Sequence, residues 1–216
     1  MTHRTKVKGM VFAILAAALY AISTPVSKLL LNEMDPTILA GLLYLGAGAG
    51  MLVIGLAEYG LGHRQEERKL ERSDLPYIIG MVALDIAAPI CLLAGLNRTN
   101  ASTAALLNNF EIVATALIAL ALFKEKITGK LWCAIILVTA SSIMLSIEDV
   151  SSIKLSPGSL LILLACVCWG LENNCTRKLS AKNPIHIVTI KGFGSGAGAL
   201  AIGLAAGNML PDAGAV

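Results

Sequence analysis

Long apolar blocks are the feature that most restricts what this chain can fold into. A block of about 18 residues or more is long enough to cross the hydrocarbon core of a bilayer, about 30 Å thick, as an α-helix. Lipid offers no partner to backbone amides, so such blocks must be helical. The composition agrees: 56% of the 216 residues are hydrophobic and 14% are charged, against about 25% charged in soluble domains. We therefore predict an all-α polytopic membrane protein with seven spans, at 9–31, 36–58, 75–96, 102–123, 130–147, 157–177 and 184–207.

An internal repeat organises these spans. Gly46-Ala-Gly-Ala-Gly50 and Gly194-Ser-Gly-Ala-Gly198 lie 148 residues apart, and each run begins ten residues after a proline, Pro36 or Pro184. The repeat unit holds five spans, an odd number, so the second copy must enter the membrane inverted. Inverted repeats are typical of secondary transporters.

The repeat predicts two domains. Residues 1–148 form a first five-helix repeat, and residues 149–216 form the first two helices of the second, inverted repeat. The loop that precedes Pro36 has no Lys or Arg, whereas the loop that precedes Pro184 has three, as the inversion requires.

Basic residues predict the orientation in the membrane. The N-terminus and the 59–74, 124–130 and 177–183 loops hold 13 of the 17 Lys and Arg residues. By the positive-inside rule the N-terminus is then cytoplasmic, in a multi-pass protein of the inner or plasma membrane whose direct partner is the lipid bilayer. The net charge of +3 follows from this topology, and no nucleic-acid partner is needed to explain it.

Two carboxylates lie near the predicted bilayer midplane. Asp85 falls in the third span and Glu111 in the fourth. A charge at this depth costs roughly 2.5–3.5 kcal/mol on insertion scales, so both side chains are expected to face the protein interior. Asn108 shares a helical face with Glu111, and Asn109 flanks it. This polar stripe is either an interhelical hydrogen-bond network or the lining of a polar cavity.

The sixth and seventh spans carry further polar groups. Glu172 and Asn173 lie at a depth similar to that of Lys191. A Glu172–Lys191 ion pair is geometrically plausible, either as a structural bond or as part of a cavity. Tyr20 and Trp169 are aromatic residues at corresponding places in the two repeats, and they either pack in the core or line the cavity.

Metal and cofactor sites are not indicated. The five cysteines form no Cys-x-x-Cys pair and the three histidines are scattered, which favours packed thiols over metal ligands. The alternating glycines from Gly192 to Gly198 have no preceding strand, so they indicate close helix packing rather than a nucleotide loop. An intramembrane enzyme would need a nucleophile–base pair, and none is apparent.

The segment from Ala104 to Thr128 resembles the fourth helix and the following turn of the EamA-type transporters, in the drug/metabolite transporter superfamily. Glu111 matches the glutamate of the family's Glu-Pro step, although Ile112 replaces the proline. Glu125 matches the glutamate of the cytoplasmic turn. The resemblance implies two five-helix repeats, ten spans, cytoplasmic termini and a central cavity, with small polar metabolites or drugs as substrates.

These inferences lead to one functional expectation, a secondary transporter that exports or exchanges such solutes by alternating access. Glu111 is the expected proton-coupling residue. The expected cavity residues are Tyr20, Asp85, Asn108, Asn109, Glu111, Trp169, Glu172, Asn173 and Lys191. Helices eight to ten would come from a longer product or from another chain, and a homodimer is a further possibility. The alternatives are a non-transporting membrane bundle and an intramembrane enzyme.

Overall fold

The computed structural model describes residues 3–60, 70–124, 126–149 and 154–210. Glu125 and residues 211–216 lie outside the described residues. Within them the chain forms eight α-helices: α1 (His3–Leu30), α2 (Pro36–Gly60), α3 (Leu75–Asn97), α4 (Ala101–Leu107), α5 (Phe110–Phe123), α6 (Gly129–Ser146), α7 (Pro157–Lys178) and α8 (Pro184–Ala205). A 3₁₀ turn, Arg72–Asp74, leads into α3, and two short antiparallel strands, β1 (Ile147–Asp149) and β2 (Lys154–Leu155), connect α6 to α7. The membrane-spanning elements are all helical, as predicted.

Prolines and capping side chains set the helix starts. Pro36 and Pro184, the two prolines of the repeat, are the first residues of α2 and α8. Proline suits this position because its ring presets a helical φ and its missing N–H would have no helical acceptor there. The Asn183 side chain accepts hydrogen bonds from the N–H groups of Ile185 (2.8 Å) and His186. The repeat thus marks real helix boundaries.

The predicted fourth span, 102–123, corresponds to one apolar span, Ala101–Leu122, which contains a tight turn. α4 ends at Leu107 and α5 begins at Phe110, with the turn at Asn108 and Asn109. The Asn109 side-chain N–H groups reach the carbonyls of Ala105 (3.3 Å) and Leu106 (3.1 Å). Asparagine side chains compete in this way with the backbone for helical hydrogen bonds. The asparagine pair therefore alters the hydrogen bonding locally, while both residues keep right-handed helical φ and ψ angles.

Six helical segments among the described residues are long and apolar enough to span a membrane, and α6 has a shorter apolar stretch, Gly129–Met144. The helix directions show that α6 crosses as well. Ile38 of α2 lies against Gly203 near the end of α8, whereas Gly55 near the end of α2 lies against Ile185 at the start of α8. The two helices are therefore antiparallel. Antiparallel helices must be separated by an even number of spans. Four elements lie between α2 and α8, namely α3, the α4–α5 span, α6 and α7. The number of spans is even only if α6 also crosses.

The α2–α8 crossing is the closest helix contact described. A Cβ placed on Gly192 would overlap the backbone of Gly48 and lie 2.8 Å from the carbonyl oxygen of Tyr44. Close backbone contact of this kind replaces the hydrophobic driving force, which is absent between helices in lipid. The packing role predicted for the glycine run is confirmed.

This crossing is also reciprocal with respect to the repeat. A Cβ placed on Gly48 would lie 3.0 Å from the backbone nitrogen of Phe193. A Cβ placed on Gly196, which corresponds to Gly48, would lie 2.8 Å from the backbone nitrogen of Leu45, which corresponds to Phe193. An exchange of equivalent contacts is the signature of a two-fold relation between packed surfaces. The two repeat-related helices thus meet around a local pseudo-two-fold axis.

α1 lies at the edge of the bundle, with most of its described side chains exposed. Its lysine, Lys28, is bonded to protein: the Nζ atom donates to the carbonyls of Leu96 (2.5 Å) and Asn97 (3.2 Å) at the end of α3. A cation at a helix C-terminus is favoured by the helix dipole and by the carbonyls left without a helical donor. Lys28 therefore links α1 to the C-terminal end of α3 by hydrogen bonds.

The crossing geometry predicts that Gly192→Ala lowers the free energy of unfolding by about 1–3 kcal/mol, the usual cost of forcing atoms into a packed contact. Gly46→Ala is the matched control, because nothing lies within 4 Å of its Cβ position. The control is expected to be neutral or slightly stabilising. Thermal unfolding of both variants in detergent measures the difference, and equal effects would contradict the packing account.

Candidate functional site: a polar groove and a buried ion network

Two adjoining cavities form a polar groove along the N-terminal part of α5. One, of about 310 Å³, is lined by Tyr20, Ala105, Asn108, Asn109, Glu111 and Ile112. The other, of about 400 Å³, is lined by Glu111, Ile112, Thr115, Ala116, Ala119, Leu131, Asn173, Asn174 and Arg177. Glu111 and Ile112 line both cavities, so Glu111 occupies the junction. We call these two cavities together the groove.

The turn between α4 and α5 supplies the upper part of the groove. Asn108 and Asn109 line it beside Glu111. The Asn108 Nδ2 atom donates a 2.6 Å hydrogen bond to the Tyr20 hydroxyl of α1. Tyr20 therefore lines the groove.

Asparagines of α7 supply the lower part. The Asn173 Nδ2 atom donates to the Glu111 carboxylate (2.8 Å) and to the Thr115 hydroxyl (3.1 Å). Asn174 points toward the backbone instead, donating to the carbonyls of Gly170 (2.7 Å) and Thr115 (3.3 Å). The groove thus offers a carboxylate, amides and hydroxyls along a path between α5 and α7, with Arg177 at its far end.

A second polar cluster lies on another side of α7, between α3 and α8. The Lys191 Nζ atom is 3.1 Å from Asp85 Oδ2 and 2.9 Å from Glu172 Oε1. Asp85 and Glu172 are 1% and 2% exposed, so the cluster is inside the protein. We call these three residues the triad. The Glu172–Lys191 pair expected from the sequence is confirmed, and Lys191 is shared with Asp85.

Hydroxyls and an indole extend the triad. The Tyr44 hydroxyl of α2 donates to Asp85 Oδ1 at 3.1 Å, and Tyr44 is in turn hydrogen-bonded to the indole of Trp169. On the other side, the Thr176 hydroxyl donates to Glu172 Oε1. The network therefore connects α2, α3, α7 and α8.

The nine residues expected in one cavity thus fall into two groups. Five of them line the groove: Tyr20, Asn108, Asn109, Glu111 and Asn173. The other four belong to the triad and its extension: Asp85, Trp169, Glu172 and Lys191. Neither cavity of the groove includes a member of the second group.

Sequence reasoning missed Tyr44, Thr176 and Arg177. Tyr44 precedes Gly48 by one helical turn and so lies on the same face of α2. The glycines on that face predicted helix packing there, and this was the available signal that Tyr44 faces another helix. Thr176 follows Glu172 by one turn on the same face. Arg177 was counted as a loop charge, and its position beside the groove depends on how α7 packs against α5.

Comparisons with known proteins bear on the family. The model of the EamA-like transporter family matches residues 7–147, more than half of the chain. An uncharacterized transporter of Methanothermobacter thermautotrophicus is 26% identical over 193 residues, which cover 84% of this chain and 56% of the relative. The chain therefore spans about half the length of that relative.

A solved structure, described as a crystal structure of a protein, has a similar fold. Its TM-score is 0.58 at 16% identity, over 88% of this chain and 67% of the other. At that identity the likeness concerns the fold alone. Together with the helical membrane-spanning architecture, the family match leads to one conclusion: the chain belongs to the EamA-like transporter family.

Proposed function

We propose that the protein is a secondary transporter that moves small polar metabolites or drugs across the cell membrane by alternating access, as an exporter or exchanger. One observation carries the proposal: the polar side chains of an apolar span, those of Asn108, Asn109 and Glu111, line the groove. Such side chains are costly in lipid, and in membrane proteins they mark substrate and ion pathways.

The arrangement of the repeat supports alternating access. The equivalent helices α2 and α8 cross antiparallel with reciprocal contacts, as an inverted repeat requires.

An ion pair between two loops agrees with the proposed topology. Lys182 of the α7–α8 loop forms an ion pair with Asp74 before α3, with Nζ and Oδ2 2.9 Å apart. Both residues belong to loops that the charge pattern assigns to the cytoplasmic side together with the N-terminus.

Glu111 is the proposed proton-coupling residue. It is the acidic side chain common to both cavities, and its carboxylate is held by Asn173 from the facing helix. A proton on Glu111 would remove the charge that a solute meets in the groove and weaken the charge-assisted bond between α5 and α7. Protonation would thus act on the solute site and on the helix contact together.

The groove predicts a difference in water access along α5. In a background in which the five native cysteines are replaced by alanine, Asn109→Cys is expected to react with a charged, water-soluble thiol reagent. Leu117→Cys, further along the same span in α5, is the control, since Leu117 lines neither cavity. Mass spectrometry of the labelled protein in liposomes measures both rates. Similar rates at the two positions would argue against a hydrated groove.

The coupling role predicts that Glu111→Gln abolishes pH-driven uptake in proteoliposomes, because the amide cannot exchange a proton. A panel of labelled small polar metabolites and cationic drugs, tested with an imposed pH gradient, provides the assay. Glu33→Gln, at an exposed acidic residue in the α1–α2 connection, should retain wild-type uptake. Unchanged pH-driven uptake by Glu111→Gln would rule out this coupling role.

A further inference from the structure

The triad holds an unbalanced charge inside the protein. Two carboxylates, of Asp85 and Glu172, share one ammonium, that of Lys191, at 3.1 and 2.9 Å. With all three groups ionised the triad carries one net negative charge, although both acids are almost fully buried. An uncompensated charge at membrane depth is costly. One additional positive charge would make the triad neutral.

The two carboxylates are not held equally well. Glu172 Oε1 accepts hydrogen bonds from both Thr176 and Lys191, which favour its ionised form. Asp85 Oδ1 accepts one from a neutral hydroxyl, that of Tyr44. Its other oxygen, Oδ2, is buried and lies 3.1 Å from Lys191 Nζ, a longer contact than the 2.9 Å one between Lys191 and Glu172. Hydrogen bonds to the charged form lower a carboxylate's affinity for protons, so Asp85 is the better proton acceptor.

We infer that the triad is a proton-binding site, separate from the groove, in which Asp85 takes up one proton while Lys191 remains paired with Glu172. The step converts the Asp85 carboxylate to a carboxylic acid with a proton from bulk water, and no other bond is made or broken. The inference does not depend on the identity of the transported solute or on the role of Glu111.

A proton fits this site better than a metal cation. Hard cations take six or more oxygen ligands, and the described residues contain no group of three or more His, Cys, Asp or Glu side chains placed to hold a metal. The Lys191 ammonium already lies between the two carboxylates and would repel a second cation.

Protonation of Asp85 would alter the contact between helices. It would remove the ion pair between α3 and α8 and leave the one between α7 and α8. Lys191 immediately precedes Gly192, the residue at the α2–α8 crossing. Among the residues that the structure describes, the titratable and charged groups that face the triad are Tyr44 from α2, Cys175 from α7 and the triad members themselves. Glu111 faces α7 on the side of Asn173.

The chain provides its own reporter. It has two tryptophans, and Trp169 connects to Asp85 through Tyr44. In the Trp132→Phe protein in detergent, the fluorescence of Trp169 is expected to show a single pH transition. Infrared difference spectra between high and low pH should show one buried carboxylic acid band appearing with the same midpoint.

Variants then assign the transition. Asp85→Asn is expected to remove both the fluorescence transition and the infrared band. Lys191→Met is expected to move the midpoint up by roughly one to three pH units, since an opposite charge within a few Å shifts a carboxylate by that amount. The second variant tests the inference even if Asp85→Asn does not fold, as judged by size-exclusion chromatography.

Glu111→Gln is expected to leave the midpoint in place, which separates this test from that of the proposed function. Three results would overturn the inference: no transition in the Trp132→Phe protein, a transition that survives in Asp85→Asn, or a midpoint that Lys191→Met leaves unmoved or lowers. A pH transition that is lost in Glu111→Gln and retained in Asp85→Asn would assign the proton to the groove instead.

Discussion

The direct backbone contact between α2 and α8 is the interaction on which the rest of the bundle depends. Lipid tails are as apolar as leucine side chains, so burying leucine between two membrane helices gives no hydrophobic gain. Membrane helices therefore associate through close packing rather than through the amount of apolar area that they bury. Gly48 and Gly192 provide that close packing. With these two helices in contact, Tyr44 of α2 and Lys191 of α8 come within reach of Asp85 on α3. Small residues at one crossing thus determine where the charged groups can meet.

Polar side chains elsewhere concentrate on α7. Glu172 and Thr176 face the triad, while Asn173 and Asn174 face α5. Each of these groups has a hydrogen-bond or ion-pair partner within the protein, as the absence of water from the bilayer core requires. α7 is therefore the element that separates the groove from the buried ion network and contacts both.

Much of the fold was predictable because membrane helices follow local rules. Hydropathy gave the spans, and the repeated prolines coincide with the starts of α2 and α8. The tight turn at Asn108 and Asn109 was not predicted, since mean hydropathy does not depend on the local pattern of helical hydrogen bonds. The sequence led to the candidate site residues but not to their division into a groove and a triad. Periodicity places Asp85 and Glu111 on inward faces, yet which neighbour each one meets depends on helix packing, and Tyr44 entered the network only through the α2–α8 crossing.

The position of Glu172 beside Asn173 has a mechanical consequence. Consecutive residues on an α-helix point about 100° apart, so these two side chains connect α7 to different neighbours, α5 and α8. A rotation of α7 about its axis moves both side chains at the same time. Such a rotation therefore changes the Asn173–Glu111 contact and the Glu172–Lys191 contact together, and links the groove to the triad.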